Sequence, residues 1–500
     1  MPEAVVDYKT LYEEQKQVLE QQQLTIVSLQ LQIENLKKLI YGSRHEKFNP
    51  SNNNSSQLSL DIQAEEMAAV KISSAQKIEY TRVKTEAEQK HEHPGRYKLP
   101  EHLERREKII EPEENTEGLK KIGEEITEEL DYEPGKLFVN KIIRPKYARQ
   151  NNEGVIIAPM IERPLPKAIA GAGLLAQIVI DKYVDHLPLY RQQERFKREG
   201  VNIPYSTLTD MISGTVQLIA PLYDAHKKII LASNYLHADE TPQPVLDKEK
   251  KGSTHRGYFW VYHNSIEKLV LFDYQPGRGR EGPQQMLKNF KGYLQTDGYS
   301  VYDFFKDEKD IVVLHCMAHA RRMFYEAQQN DKARTEYALT EFAKLYAIEK
   351  SCREKKLSFD EIKNVRSEKS LPILASLGEW MRQQYVQVLP KSVIGKALSY
   401  CIERWNELMT YTADGRLNID NNPVERSIRP VAIGRKNYLF AGSHEAAQRS
   451  AMLYSLLGTC KLHEVNPFIW LRNVLQCIAT HPINKIEELL PQNWQAPTDA

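Results

Sequence analysis

Between residues 231 and 316 the hydrophobic period changes from helical to strand-like, and this change restricts the possible folds more than any other feature of the chain. Apolar, β-branched and aromatic runs at 235–238, 257–263 and 268–274 read as three successive strands, a meander. A short helix at 283–290, a strand at 292–297, a helix near 300–306 and a strand at 311–316 follow, and a further helix starts near Ala318. Three strands in succession and then alternating helix and strand predict a mixed sheet of the α/β class. From His319 to about residue 411 the pattern is helical throughout, so a helical block interrupts the sheet domain.

Three acids are placed distinctively in this pattern. Asp239 sits in the apolar run Tyr235-Leu-His-Ala-Asp-Glu-Thr-Pro, with turn chemistry close behind it. Asp297 ends the run Gly292-Tyr-Leu-Gln-Thr-Asp-Gly, punctuated by Gly298. Glu425 lies in Asn421-Asn-Pro-Val-Glu-Arg-Ser-Ile-Arg-Pro, which reads as a helix start. An ionised group at the end of a core strand is costly unless paired or metal-bound. Two strand carboxylates and one helix carboxylate suit a pair of Mg²⁺ ions, hard cations that take oxygen ligands and serve phosphoryl transfer. The plain alternative is three unrelated surface acids, easily drawn from 67 acidic residues.

The remaining chain divides by composition. Leu19, Ile26, Ile33 and Ile40 recur every seven residues with Leu29 and Leu36 between them, which predicts a coiled-coil helix over 1–48 and self-association as a dimer or higher oligomer. A polar linker and charged arm (49–92) and a small β-rich module (93–165, with strand runs at 136–143 and 154–159) come next. Residues 166–230 are helical and locally basic. Helix, Gly200-bearing turn, a Ser206 N-cap and a second helix give a helix-turn-helix pattern, with Arg191, Arg195, Lys197 and Arg198 as phosphate-contact candidates. The sheet domain is expected over 231–330 and 416–450, the helical block that interrupts it over 331–415, and a helical tail over 451–500.

Net charge is +1, so attraction to a polyanion must come from local clusters. Further candidates for DNA contact are Arg278 and Arg280 on a turn, Arg321 and Arg322 beyond Cys316 and His319, and Arg429, Arg435 and Lys436 after the final acid; Arg426, next to Glu425, fits a structural pair as well. The five cysteines show no CxxC spacing, no apolar run approaches the roughly 20 residues that span a bilayer, and no signal peptide is legible, which together predict a cytoplasmic protein. Gly277-Arg-Gly-Arg-Glu-Gly282 fits a dinucleotide fingerprint, but the meander ahead of it and the short helix after it argue against that use. Cys316 and His319 form a lone Cys-x-x-His, too few ligands for a zinc site.

Six stretches in order resemble one family. They are Leu36-Lys-Lys-Leu-Ile-Tyr-Gly-Ser-Arg-His-Glu-Lys-Phe48, Lys182-Tyr-Val-Asp-His-Leu-Pro-Leu-Tyr190, His237-Ala-Asp-Glu-Thr241, Leu294-Gln-Thr-Asp-Gly-Tyr299, Cys316-Met-Ala-His-Ala-Arg-Arg322, and Asp420–Pro430 with Gly434-Arg-Lys-Asn-Tyr438. The chain resembles the IS66-family insertion-sequence transposases of the DDE type, from about residue 30 to 480. The resemblance implies an RNase H-like catalytic core with a helical insertion, Asp239, Asp297 and Glu425 as catalytic and metal-binding triad, and Mg²⁺ (two ions, with Mn²⁺ as substitute). It also implies cleavage at transposon ends and strand transfer into target DNA, with terminal inverted repeats and target DNA as partners and small accessory proteins of the same element beside them. Competing readings are a metal-dependent nuclease or resolvase that does not join DNA, and an inactive DNA-binding protein. Family members commonly carry paired CxxC motifs after the linker; here the corresponding Glu113–Gly118 and Tyr147–Asn152 lack cysteine, and no structural zinc is expected.

Overall fold

The computed structural model describes residues 162–166, 168–247 and 253–496, together with Gly135, residues 137–140 and two short strands. The coiled-coil, linker and arm predictions lie outside the described residues, as does most of the β-rich module. Of that module, β1 (Lys146–Ala148) pairs antiparallel with β2 (Val155–Ile157). The second strand falls where the sequence predicts it. The first forms beyond the expected run, since residues 137–140 are not in a strand.

Three helices lead to the sheet: α1 (Ala172–Tyr183), α2 (Leu189–Arg198) and α3 (Tyr205–Leu231). Gly200 takes φ +81° in the turn, a left-handed conformation that glycine adopts without steric cost. Helix α3 begins one residue before the predicted Ser206 cap, with Pro204 at the N-cap position, and runs 27 residues. Its inner face (Leu208, Met211, Ile212, Val216, Ile219, Leu222) is buried in the main core, so most of this helix is occupied by its own fold.

The sheet has five strands in the order β5-β4-β3-β6-β7. Strands β3 (Tyr235–Leu246), β4 (Thr254–Asn264) and β5 (Leu269–Gln275) form the predicted antiparallel meander; β6 (Gly292–Thr296) and β7 (Ile311–His315) run parallel to β3. Short α4 (Glu281–Met286) follows β5, and a 3₁₀ helix (Ser300–Asp307) links β6 to β7. The glycine-rich Gly277–Gly282 turn thus follows an antiparallel edge strand, unlike the parallel crossover of a dinucleotide-binding unit.

Strand β3 is longer than predicted because Pro242 and Pro244 are tolerated within it. Proline has no N–H for a ladder, so it suits a strand with a free edge. Strand β6 pairs with β3 only over Tyr235–His237, leaving the later half of β3 without a strand neighbour on that side. A return of the chain covers it instead: Ala441 N–H donates to the Pro244 carbonyl (2.9 Å) and Leu246 N–H to the Ala441 carbonyl (2.8 Å). The point where β3 and β6 part is therefore a notch in the sheet, and Asp239 stands at it.

After β7 comes α5 (Met317–Glu326), then the helical block: α6 (Lys332–Glu354), α7 (Phe359–Val365), a π-helical turn (Arg366–Ser370), α8 (Leu371–Tyr385), α9 (Val393–Glu403) and α10 (Trp405–Met409). Helices α5, α6, α8, α9 and α10 share one apolar cluster with Tyr235 and Leu314 of the sheet. The chain returns as α11 (Asn422–Tyr438), α12 (His444–Leu462) and α13 (Pro467–Cys477). Helix α12 seals the β5 edge, where Ser455 Oγ accepts the Phe272 N–H at 2.8 Å.

Candidate active site

The three predicted acids come together. In the parallel β3–β6 pair His237 lies opposite Gln295. Asp239 and Asp297 each follow two residues later, Asp239 inside β3 just past its last pair with β6, and Asp297 one residue beyond the carboxyl end of β6. This is where open α/β sheets bind ligands. Glu425 enters from the first turn of α11, whose start is fixed by Pro423.

Their charges interact. Burial pushes the Asp239 carboxyl well above the ordinary carboxylate range, and Glu240, Asp297 and Glu425 push it further, against one backbone hydrogen bond from Glu240 N–H at 2.8 Å. Asp297 accepts the Tyr299 N–H on Oδ1 (2.8 Å), while its carbonyl accepts the Tyr400 hydroxyl (2.8 Å). Gly298, at φ +90°, is forced by this turn; a Cβ there would meet the Tyr400 oxygen at 2.9 Å. Glu425 Oε1 is buried without a hydrogen-bond partner.

A polar lattice aligns the segment before α11 against the strands. Asn421 donates Nδ2–H to the Ala238 carbonyl (3.0 Å) and accepts from His237 Nδ1 (2.9 Å). Asn418 N–H donates to Tyr235 Oη (2.9 Å), whose hydroxyl donates to Gln295 Oε1 (2.5 Å); Gln295 Nε2 closes the loop on the Asn418 carbonyl (3.0 Å). Burial holds His237 at about 3 and its cross-strand neighbour His263 at about 4, so both are neutral hydrogen-bonding groups. These positioning residues carry no sequence signature of their own. Buried Arg366 ties the helical block to the same segment. All five of its N–H groups are used, on both Glu349 oxygens (2.8 Å each) and on the carbonyls of Tyr411, Asp414 and Leu417 (2.8–2.9 Å).

The basic candidates separate by surroundings. Arg278 is bound to Glu240 (2.9 and 2.5 Å) and stacks over Tyr299 at 4.1 Å, so its charge already has a carboxylate partner. Arg195 pairs with buried Asp181, and Arg435 donates to Thr241 and to the Pro242 carbonyl, which fastens α11 to β3. Lys197 lies 3.9 Å from Glu194. Arg191, Arg198, Arg280, Arg321, Arg322, Arg429 and Lys436 are exposed. Of the exposed set, Arg322 acts electrostatically on His319 at the site; Arg426 does so on His237, His263 and Asp420.

Residues 167–449 match the family model described as "Transposase IS66 family". The chain belongs to the IS66 transposase family. Residues 455–492 match its C-terminal element, 28–107 the family described as "Transposase C of IS166 homeodomain", and 114–148 the "zinc-finger binding domain of transposase IS66". Similar proteins include three from Sinorhizobium fredii (strain NBRC 101917 / NGR234), all described as uncharacterized. Protein y4hP is 30% identical over 94% of this chain and 89% of its own length. Protein y4jD is 30% identical over 97% and 98%, and y4qI 35% identical over 79% and 76%.

The zinc-finger match corrects the expectation of no structural zinc: that expectation rested on missing CxxC pairs, yet the stretch is recognisable as the family's zinc-binding domain. Its residues 114–148 contain neither cysteine nor histidine. Among the described residues no helix is long and apolar enough to cross a membrane.

Proposed function

We propose that this transposase cuts DNA at the ends of its element and joins the released 3′-hydroxyl to target DNA, using Asp239, Asp297 and Glu425 on an RNase H-like sheet. One observation carries the reading: Asp239, just past the last β3–β6 pair, lies in the electrostatic field of both Asp297, just past the end of β6, and the helix-borne Glu425. The set fits Mg²⁺, because all three donors are hard oxygens, Glu425 Oε1 is buried without a partner, and Asp239 is destabilised as an anion until a cation neutralises its neighbours. When bound there, Mg²⁺ (or Mn²⁺) lowers the pKa of a coordinated oxygen nucleophile and stabilises the leaving oxygen.

The chain's own residues do the aligning. Asn421 holds the start of α11 to the Ala238 carbonyl, fixing Glu425 relative to Asp239, and the Tyr400 hydroxyl holds the Asp297 turn. Arg322 and Arg426, exposed beside the acids, suit DNA phosphates. The scheme needs no covalent protein–DNA intermediate. Inverted-repeat and target DNA are the proposed partners, with the N-terminal heptads bringing two active sites to two ends.

The test is a joining assay with purified protein, Mg²⁺ and labelled DNA bearing the element's terminal repeats. Wild type is expected to release 3′-hydroxyl ends and join them, while Asp239→Ala, Asp297→Ala and Glu425→Ala bind the DNA yet lose at least a thousandfold in joining. Cleavage without joining points to a nuclease or resolvase instead; joining by any of the three variants overturns the triad.

A further inference from the structure

We propose that Cys316, His319 and Glu425 form a second cation site, which shares Glu425 with the all-oxygen cluster but differs from it in chemistry, for a borderline-soft divalent ion of the zinc type. Cys316 caps the N-terminus of α5 and His319 lies one turn along it. Glu425 arrives from α11, so the fold supplies the third ligand that the local Cys-x-x-His lacks. Ligand atoms of all three lie within 4.8 Å of one another. Ligands of one tetrahedral zinc stand roughly 3.3–3.6 Å apart at ordinary bond lengths, so closure needs movements on the order of 1 Å.

Two further observations point to a cation there. His319 Nδ1 and Glu425 Oε1 face each other at 4.0 Å, too far for a hydrogen bond, and both are buried without any partner. Leaving two such atoms unpaired is costly, and a shared cation satisfies both. The Cys316 sulfur accepts the Asn421 N–H at 3.1 Å, an amide donor of the kind that supports a metal-bound thiolate. One sulfur, one nitrogen and one oxygen leave a fourth position open, and such a set favours zinc or cobalt over magnesium.

Cobalt(II) is the probe. Titrated into metal-free full-length protein, it is expected to give a thiolate-to-cobalt charge-transfer band in the near ultraviolet that stoichiometric zinc abolishes. The band is lost in Cys316→Ser, and in His319→Ala the apparent affinity falls at least tenfold. Cobalt held in residues 114–148, which hold no cysteine, is silent in this band. No band in wild type, or an unchanged band in Cys316→Ser, overturns the site. Because Cys316 is buried, Cys316→Ser is checked by circular dichroism, and His319→Ala decides the question alone if the serine variant does not fold.

Discussion

Asp239 is held at a disadvantage as an anion by its burial and by Glu240, Asp297 and Glu425 around it. Removing that charge relieves the strain, so Asp239→Asn is expected to melt at a higher temperature than wild type in metal-free buffer at neutral pH. The sign follows from the raised pKa. The folded state holds the Asp239 proton to higher pH than the unfolded chain, so wild type loses stability as pH rises above the usual carboxylate value. The gain therefore vanishes as pH falls toward that value; thermal melts of both proteins across pH check it, and an equal or lower melting temperature for the variant contradicts it. Asp239, Asp297 and Glu425 were legible in the sequence because Asp239 interrupts an apolar strand run, Asp297 follows the last residue of β6 and Glu425 sits in the first turn of α11. Asn418, Asn421, Gln295 and Tyr400 were not, because their role depends on which strand and helix they meet. Cys316 and His319 showed only two ligands, since the third belongs to a helix far downstream.

At the level of elements, the meander, the alternating strands and the helical block follow from hydrophobic period alone. The prolines of β3 misled the reading of its length, since whether an edge is free is a property of the sheet and not of the strand. Ser206 looked like a cap, but the helix starts from the extended Ile203-Pro204 segment ahead of it. Arg366 is the element-scale keystone that no motif announced. Arg366→Ala leaves Glu349 charged, buried and unpaired, and is expected to cost about 3–5 kcal/mol in urea unfolding. Replacing both by apolar residues, Arg366→Met with Glu349→Leu, should recover part of that loss. A cost under about 1 kcal/mol for Arg366→Ala contradicts the assignment.

For the whole molecule, buried histidines set the response to acid. His226, fully buried, shares a 2.8 Å hydrogen bond with the Val270 carbonyl, and burial pushes its pKa down to about 4. The unfolded chain takes up this proton near pH 6.5 and the folded one only near 4. Stability is thus full above 6.5 and declines as pH drops through that window, by roughly 3 kcal/mol from this residue. His226→Gln is expected to flatten the decline between pH 6.5 and 4 in denaturant titrations, and an unchanged slope contradicts the claim.

Three carboxylates, Asp239 in β3, Asp297 just after β6 and Glu425 in α11, are proposed to hold divalent cations together. Electron paramagnetic resonance of Mn²⁺ added to the full-length protein reads this directly, because bound Mn²⁺ drops out of the free-ion signal. Wild type is expected to bind, and Asp239→Asn, Asp297→Asn and Glu425→Gln each to weaken binding at least tenfold while remaining folded. If any one of the three binds Mn²⁺ as wild type does, that residue is not part of the cluster and the convergence is wrong.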